Sequence, residues 1–441
     1  KAVVIIDEAG QIGGQQMEDL FAVLKKSETR IILSGDTRQH GAVEASDALR
    51  AIEKYAGLKA AELSVIRRQD PELGKNEEER AFIAEYRKAV NAASEAKILD
   101  SFDRLDSLGC VREFLEGDRK QILAEDYLQA KQVGDRALIV AQTWDEIHAV
   151  NEAVRGRLKD EGLLGSDKKL ILFESRDLDS AQKQDARYYK NDDYVYFIKN
   201  YGRFEKGDLT RIECVEEASI QLRKGGKLST IGLKQSGCFV VARKREVDLS
   251  VGDRLQMKFN GLSVDGRPIV NGELITIDKI YENGKLSVRD DEGLRKTLSP
   301  NQRLANLGYA VTSYASQGKT VDTVLFSDSQ IKAATNRNQW YVSISRARRK
   351  IKIYTSDKES LRENIMRIGE RPLAIDLAGQ KLGHVSAKRS KSNQRLKLQK
   401  RIMLAAKSLL LSSVRRRVRM PRALLRSFQW SRGSILRNGH S

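Results

Sequence analysis

Near its start the chain reads Ala2-Val3-Val4-Ile5-Ile6 followed by Asp7-Glu8-Ala9-Gly10, the most informative pattern for the fold. Four consecutive β-branched residues, apolar on both faces, predict a strand buried inside a parallel sheet. Two adjacent carboxylates follow, at the carboxyl edge where open α/β sheets place their ligands. Taken alone, the stretch fits either a functional pair of carboxylates or a core strand followed by a solvated acidic turn.

A second stretch with the same pattern follows. Residues 30–34 predict another buried strand, which ends in Gly35-Asp36-Thr37-Arg38-Gln39. Between the strands, apolar residues at helical spacing over 18–26 predict a crossover helix. The result is a β-α-β unit with polar clusters at one sheet edge. The two clusters resemble motifs II and III of superfamily 1 helicases of the RecD-like branch.

This resemblance implies an ATP site. Asp7 would hold Mg²⁺ through its water shell, and Glu8 would accept a proton from the attacking water. Gln39 would touch the γ-phosphate and couple hydrolysis to movement on DNA. Residues 62–69 predict a short strand ending in Arg67-Arg68-Gln69, which matches motif IV, so Arg68 would reach the nucleotide phosphates as a bidentate cation. The alternative is a surface arginine pair.

A second RecA-like lobe is predicted after a charged, helical stretch at 70–135. Residues 137–141 read as a strand and 145–158 as a helix, typical of the first β-α unit of such a lobe. Trp144, at the strand end, would either stack a DNA base or act as a buried anchor.

Short alternating strands separated by turn signals fill residues 165–300. Strands are predicted at 188–189, 194–198, 209–215, 238–242, 254–259 and 273–280, and 277–289 predicts a hairpin around Asn283-Gly284. The pattern indicates an inserted barrel-like subdomain. RecD-like helicases carry an SH3-like insertion at this place, and the stretches at 185–208 and 251–260 are similar to the helicase half of MobF-type conjugative relaxases.

The stretch 312–320 contains a partial phosphate-loop pattern, because Gly318-Lys319-Thr320 copies the end of GxxxxGK[ST]. The first glycine of that pattern is replaced by Ser313, and 321–326 reads as a strand where a helix is required. The stretch instead matches the helicase TxxxSQGxT element. By resemblance Gln317 and Gly318 would face the nucleotide, and Thr312, Tyr314 and Ser316 the DNA. Tyr314 replaces the family's usual histidine.

The last motif is Gln339-Trp340-Tyr341-Val342-Ser343-Ile344-Ser345-Arg346-Ala347-Arg348, which closely resembles motif VI. Arg346 would be its phosphate-reaching arginine, and 350–354 predicts a further strand. A lone Ser-Arg-Ala-Arg is more often a basic helix surface, but the ordered series of five motifs favours the helicase interpretation.

Charge separates a body from a tail. The net charge is +19, yet residues 386–441 hold 16 Lys and Arg and no Asp or Glu, which leaves 63 − 60 = +3 for the rest. The tail could contact DNA phosphate, contact relaxosome or coupling proteins, or simply be solvated. Three cysteines without CxxC spacing and four scattered histidines argue against structural zinc and fit the reduced cytoplasm. No signal peptide or membrane span is expected.

We therefore expect an α/β protein with two RecA-like P-loop NTPase lobes, the first incomplete, and an inserted SH3-like β-barrel. The expected divisions are the first lobe at 1–69, a helical connector at 70–135, the second lobe at 136–164 and 301–360, the insertion at 165–300, and the basic, helical or disordered tail at 361–441. The resemblance implies an ATP- and Mg²⁺-dependent 5′→3′ helicase acting on single-stranded DNA, as part of a conjugative relaxase. The alternatives are a free-standing RecD-like repair helicase and a DNA-binding module without ATPase activity. Because the chain starts with Lys1 and contains no GxxxxGK[ST], we expect a fragment that is inactive alone.

Overall fold

The first lobe contains a small parallel sheet. The computed structural model describes residues 2–25, 29–42, 46–63, 65–369, 373, 375 and 376, and every contact given below lies within the compact unit Lys1–Arg371. The elements in this lobe are β1 (Val3–Ile6), α1 (Gly14–Lys25), β2 (Arg30–Leu33) and α2 (Ala48–Tyr55). β1 and β2 pair in parallel, with α1 as the predicted crossover helix.

The prediction that these strands are buried is wrong for the described residues. The side chains of Val3, Ile5 and Ile32 are 54%, 65% and 50% exposed. In a two-stranded sheet neither strand is flanked on both sides, so alternate apolar side chains stay open to solvent. The strand predicted at 62–69 is also wrong, because 62, 63 and 65–69 have no regular structure. Arg68 and Gln69 instead bond the second lobe through their side chains.

Helices and one short strand follow in the stretch foreseen as a helical connector. Its elements are α3 (Glu77–Ser94), α4 (Ile98–Ser107), β3 (Val111–Glu113) and α5 (Glu116–Gln132), and they lead into β4 (Ala137–Ala141) and α6 (Trp144–Asp160). Asn76 caps the start of α3, because its side chain accepts from the amide of Glu79. Thr143 caps α6 in the same way, because its hydroxyl accepts from the amide of Glu146. Such caps satisfy amides that the first helical turn leaves unpaired.

The insertion forms a six-stranded and a five-stranded antiparallel sheet, which we call the inserted sheets, together with a separate two-stranded pair. The strands are β5 (Lys168–Ser175), β6 (Tyr194–Phe197), β7 (Leu209–Val215), β8 (Ser219–Lys224), β9 (Lys227–Gly232), β10 (Phe239–Leu249), β11 (Arg254–Met257), β12 (Gly261–Leu262), β13 (Pro268–Ile269), β14 (Leu274–Ile280), β15 (Leu286–Asp290), β16 (Arg295–Leu298) and β17 (Ala305–Leu307). Their orders are β5-β10-β6-β7-β8-β9 and β16-β15-β14-β11-β17, and β12 pairs with β13. The β14–β15 hairpin is confirmed, whereas 188–189 belongs to no strand.

The second lobe is a five-stranded parallel sheet covered by helices. It is completed by β18 (Ala310–Thr312), α7 (Ser313–Ser316), β19 (Val321–Ser327), α8 (Arg337–Ile344), β20 (Ala347–Thr355) and α9 (Lys358–Asn364), in the order β18-β4-β19-β20-β3. Tyr86 of α3 and Phe102 of α4 share a hydrophobic cluster with Val140. Ile147 and Val154 of α6 share another with Ile139. Alternate residues of β4 thus contact different helix layers, which confirms the α/β fold with parallel sheets.

Within the described residues, none of the helices is both long and apolar enough to cross a bilayer. The basic tail at 386–441 lies outside the described residues.

Candidate functional site

The two acids of the first motif lie directly after β1. Asp7 is exposed, and its Oδ1 accepts bonds from the Glu8 amide at 3.0 Å and from the Ser34 hydroxyl at 3.1 Å. Glu8 has left-handed backbone angles, φ 51° and ψ 38°, and precedes a short 3-10 turn at Ala9–Gln11. This conformation is costly for a residue with a Cβ, and such strain is concentrated at functional sites.

Glu8 reaches the second lobe. The side-chain amide of Gln317, just after α7, donates to Oε2 of Glu8 at 2.9 Å. The two residues are 309 positions apart in the chain, so only the tertiary structure joins motif II to the TxxxSQGxT element.

The Gly35–Gln39 loop (GDTRQ) is held against α8. Asn338 donates from its side-chain amide to the carbonyl oxygens of Arg38 and Gln39, at 3.0 and 2.9 Å. The Gln39 amide donates to Asp36 at 3.3 Å, and its Oε1 accepts a long 3.4 Å bond from Arg346. The Gln39 side chain therefore faces Arg346, as expected for two groups that share a ligand.

Arg68 and Arg346 converge on Ser345. Arg68 donates to the Ser345 carbonyl at 2.7 Å and to the Thr320 hydroxyl at 3.0 Å. Arg346, only 2% exposed, donates to the Ser345 hydroxyl at 2.9 Å and to the Val342 carbonyl at 2.9 Å. Burial lowers the pKa of Arg68, and burial together with the charge of Arg68 lowers the pKa of Arg346 to about 10.

These two guanidinium groups have no carboxylate partner in the part of the chain that the structure describes. Among the described residues no ion pair involves Arg68 or Arg346, although the negative charge of Glu8 favours the charged form of both. Both arginines and Gln39 line a cleft of about 230 Å³. Two neighbouring cations that bond no carboxylate of the described residues have the charge and the donors suited to a multiply charged anion such as a phosphate chain.

Other residues that hold this cleft were missed by the sequence analysis. Gln69 donates to the carbonyl oxygens of Ser345 and Ala347, and the Tyr86 hydroxyl donates to the carbonyl of Ile344. They fix the turn between α8 and β20 from which Arg346 projects. The position of Gln69 beside Arg68 was a usable signal, whereas nothing in the sequence around Tyr86 marks it.

The residues at α7 that were predicted to contact DNA differ in solvent exposure and in their hydrogen bonds. Thr312 caps the helix by accepting from the Ala315 amide at 3.1 Å. Ser316 is fully buried and donates to the Ser313 carbonyl, so a direct DNA contact by Ser316 does not agree with this conformation. Tyr314 is 50% exposed, and its ring stacks on His40 with centroids 3.8 Å apart.

Trp144 lies at the same edge of the second-lobe sheet as α7. Thr312 pairs with Ala141, so β4 and β18 end side by side, and Trp144 and Tyr314 follow within three residues of those ends. The Trp144 ring is 36% exposed, and the Lys258 ammonium lies 4.6 Å from its centroid. The aromatic face is therefore shared with a cation of the inserted sheets rather than buried in the core.

The structure thus brings five of the predicted residues together between the lobes: Glu8, Gln39, Arg68, Gln317 and Arg346. Asp7 lies beside them on the β1 end. Gly318 occupies a turn with φ 77°, where a side chain would be strained. Thr312, Tyr314 and Trp144 belong to the carboxyl edge of the second-lobe sheet.

Sequence comparisons identify similar proteins. Residues 1–115 match the family model of an AAA domain. A conjugal transfer protein TraA from Rhizobium radiobacter is 25% identical over 362 residues, covering 80% of this chain and 24% of the relative. A probable conjugal transfer protein TraA from Sinorhizobium fredii is 23% identical over 218 residues, covering 49% of this chain and 18% of the relative. The chain therefore spans about a quarter or less of the length of these relatives.

Solved structures include remote matches. One is from a study of DNA unwinding at forked duplexes by two coordinating Pif1 helicases, with a TM-score of 0.42, 14% identity, and coverage of 88% of this chain and 75% of that chain. Another is Pif1 helicase from Candida albicans, with a TM-score of 0.36, 14% identity, and coverage of 86% and 76%. The ordered motifs, the AAA-domain match and the TraA relatives together confirm that this chain resembles the superfamily 1 helicases of conjugal transfer proteins.

Proposed function

We propose that this chain is the helicase portion of a conjugative relaxase, an ATP-driven motor that moves 5′→3′ on single-stranded DNA in the cytoplasm. The observation that carries the proposal is the convergence of Arg68 and Arg346 on Ser345, in a cleft that Gln39 also lines. A cleft between two lobes, with a cation on each side and no carboxylate of the described residues bonded to either cation, fits the β- and γ-phosphates of a nucleotide.

The acids have distinct roles in this proposal. Glu8 is the general base that accepts the proton of the attacking water. Asp7 fits Mg²⁺, because its carboxylate is exposed and uses only Oδ1 in hydrogen bonds within the described residues. The ion would neutralise charge that develops on the phosphates. Gln39 and Arg346 would sense the γ-phosphate together.

Single-stranded DNA is the proposed ligand at the carboxyl edge of the second-lobe sheet. Tyr314 and Trp144 offer aromatic faces to successive bases, and Thr312 offers a hydroxyl. The TraA relatives favour conjugal transfer as the process, with relaxosome or coupling proteins as partners of the basic tail. The proposed functional divisions are the first lobe at 1–69, the connector at 70–135, the second lobe at 136–164 and 301–360, the insertion at 165–300, and the tail. Two short strands cross these bounds, since β3 of the connector pairs within the second-lobe sheet and β17 pairs within the inserted sheets.

A second candidate rests on a specific observation. The 441 residues contain no GxxxxGK[ST], and without that cradle of backbone amides and its lysine a triphosphate is poorly held. By itself this chain would then be a DNA-binding module. A free-standing repair helicase is the other alternative.

One experiment separates these functions. ATP hydrolysis is measured, with and without single-stranded DNA, for the 441-residue chain and for the full-length product of its gene. We expect DNA-stimulated turnover by the full-length product and none by the chain alone. Turnover by the chain alone would contradict the need for a separate phosphate loop. An inactive full-length product that binds DNA would favour the module. A nickase domain with a tyrosine and three histidines upstream in the gene distinguishes a relaxase from a repair helicase.

A further inference from the structure

The loop 317–320, which joins α7 to β19, makes three side-chain contacts with other parts of the molecule. Gln317 bonds Glu8 of the first lobe, and the Thr320 hydroxyl accepts from Arg68. Between them, the ammonium of Lys319 donates to the carbonyl of Gly272 at 3.0 Å. Gly272 lies in the turn between β13 and β14, so the third contact is to the inserted sheets.

The Lys319 contact is sheltered rather than an incidental surface bond. Burial lowers the pKa of Lys319, while the carboxylates of Asp291, Glu273 and Glu292 favour its charged form. A hydrogen bond from a charged donor in such a place is stronger than one made in bulk water. The same residue is anchored through its backbone, because its amide donates to the Ser316 carbonyl at 3.1 Å.

Hydrophobic packing also connects the Gly272 turn with the 317–320 loop. Leu274, the first residue of β14, is 2% exposed and belongs to the same hydrophobic cluster as Val321, the first residue of β19. The Gly272 turn and the 317–320 loop therefore each lead directly into strands whose first side chains share one core. A shift of the inserted sheets at this turn moves the loop through both the lysine bond and the packing.

We propose that Lys319 is a positioning residue that couples the inserted sheets to ATP hydrolysis, by holding Gln317 against Glu8 and Thr320 against Arg68. The proposal rests on the helicase function proposed above. The Gln317 amide donates to Oε2 of Glu8 and so orients the carboxylate, and the other oxygen of that carboxylate is the one that accepts the proton of the attacking water. When DNA displaces the inserted sheets, the Lys319 bond pulls on the 317–320 loop and moves Gln317. The Glu8 carboxylate then loses the orientation that the Gln317 amide gives it.

The first test needs no nucleotide. Amide hydrogen exchange is measured on the 441-residue chain for Lys319→Met, which removes the donor at similar length, and for Lys319→Arg, which keeps one. Lys234→Met is the matched control, since Lys234 is an exposed lysine of the insertion, in the 3-10 turn between β9 and β10. We expect exchange at 313–321 and 270–273 to rise about tenfold in Lys319→Met. Lys319→Arg should remain close to the wild type, and Lys234→Met should be unchanged.

The second test uses the full-length gene product. Lys319→Met should lower DNA-stimulated ATP turnover by on the order of ten- to a hundredfold, with the KM for ATP unchanged, because it misplaces catalytic groups without touching the nucleotide. If Lys319→Met exchanges faster but DNA still stimulates its ATP hydrolysis fully, the coupling is overturned. Hydrogen exchange that is unchanged in Lys319→Met overturns it as well. A wild type without DNA-stimulated hydrolysis overturns the proposed helicase function and the coupling together. An active wild type matched by Lys319→Met overturns the coupling alone.

Discussion

The imidazole of His40 stacks on the phenol ring of Tyr314, with centroids 3.8 Å apart and an interplanar angle of 13°. Its Nε2 also lies 2.9 Å from the Ser313 hydroxyl. His40 directly follows Gln39 of the first lobe, and Tyr314 lies in α7 of the second. The stack therefore connects the Gly35–Gln39 loop, which lines the cleft proposed to bind phosphate, with the helix proposed to face DNA.

The pH dependence of stability tests the burial of His40. Burial, with a smaller effect of Arg346, lowers the pKa of His40 from 6.5 to about 3. The unfolded chain then binds a proton that the folded chain excludes, so stability present above pH 6.5 is lost as the pH falls towards 3. We expect the free energy of unfolding of the wild type to fall more steeply between pH 6.5 and 4.5 than that of His40→Phe. Urea denaturation at several pH values measures both slopes.

The control for this measurement is His148→Phe, since His148 is 40% exposed at its side chain and far less enclosed. It should keep the wild-type slope. Equal slopes for the wild type and His40→Phe would show that His40 titrates normally in the folded protein.

Arg346→Ala tests the role of the motif VI arginine. In the full-length gene product we expect nucleotide affinity to remain largely intact and turnover to fall by on the order of 10³, the low end for an arginine finger. A fluorescent nucleotide analogue measures affinity, and steady-state assays on single-stranded DNA measure turnover. Arg348→Ala is the control, because Arg348 is paired with Asp322 at the start of β19. An equal loss of affinity and turnover would make Arg346 a uniform binding contact instead.

Glu8→Gln should give tight nucleotide binding without chemistry. The substitution keeps the shape of the side chain and an oxygen that can accept from Gln317, but removes the base. We expect turnover to fall by about 10²- to 10⁴-fold. Glu18→Gln, on the exposed side of α1, is the control for removal of a nearby acid. Normal turnover by Glu8→Gln would assign the base to another residue.

Removal of the basic tail tests its contact with phosphate. Ending the chain before Ser386 removes 16 positive charges. We expect weaker binding to single-stranded DNA and a shallower slope of log K against log salt, by about 0.7 for each phosphate that the tail neutralises. A salt titration by fluorescence anisotropy measures this slope, and a chain with the tail residues in shuffled order should keep it. An unchanged slope after truncation would show that the tail does not touch DNA.

A buried ion pair predicts a large effect on stability. Arg119 of α5 donates bidentately to Glu146 of α6, at 2.9 and 3.2 Å, and the two side chains are 1% and 7% exposed. Glu146→Ala removes a buried carboxylate that Arg119, Lys120 and the Ser327 hydroxyl all contact, and breaking such a buried pair costs about 3–5 kcal/mol. Glu85→Ala, in an exposed pair with Lys88, should cost less than about 1 kcal/mol. Chemical denaturation compares the two, and similar losses would contradict the assignment of a buried pair.

The sequence by itself determined the local chemistry of the site. The strand–acid pattern at β1, the Gly35–Gln39 loop, the 312–320 element and Arg346 were each recognisable, because helices, strands and short motifs depend on residues that are close in the chain. The same locality explains the wrong predictions. Whether a strand is buried, whether 62–69 pairs, and how the strands of the insertion divide among sheets depend on partners far away in sequence.

Only the tertiary structure decided how these pieces meet. The contacts of Gln317 with Glu8, of Arg68 with Ser345 and of Lys319 with Gly272 join residues tens to hundreds of positions apart. No periodicity or spacing specifies such contacts, because they arise from the packing of whole lobes and sheets, which fixes side chains that have no local relation. The sequence therefore named the groups that could act on a nucleotide, and the fold determined which of them share one cleft and what holds each in place.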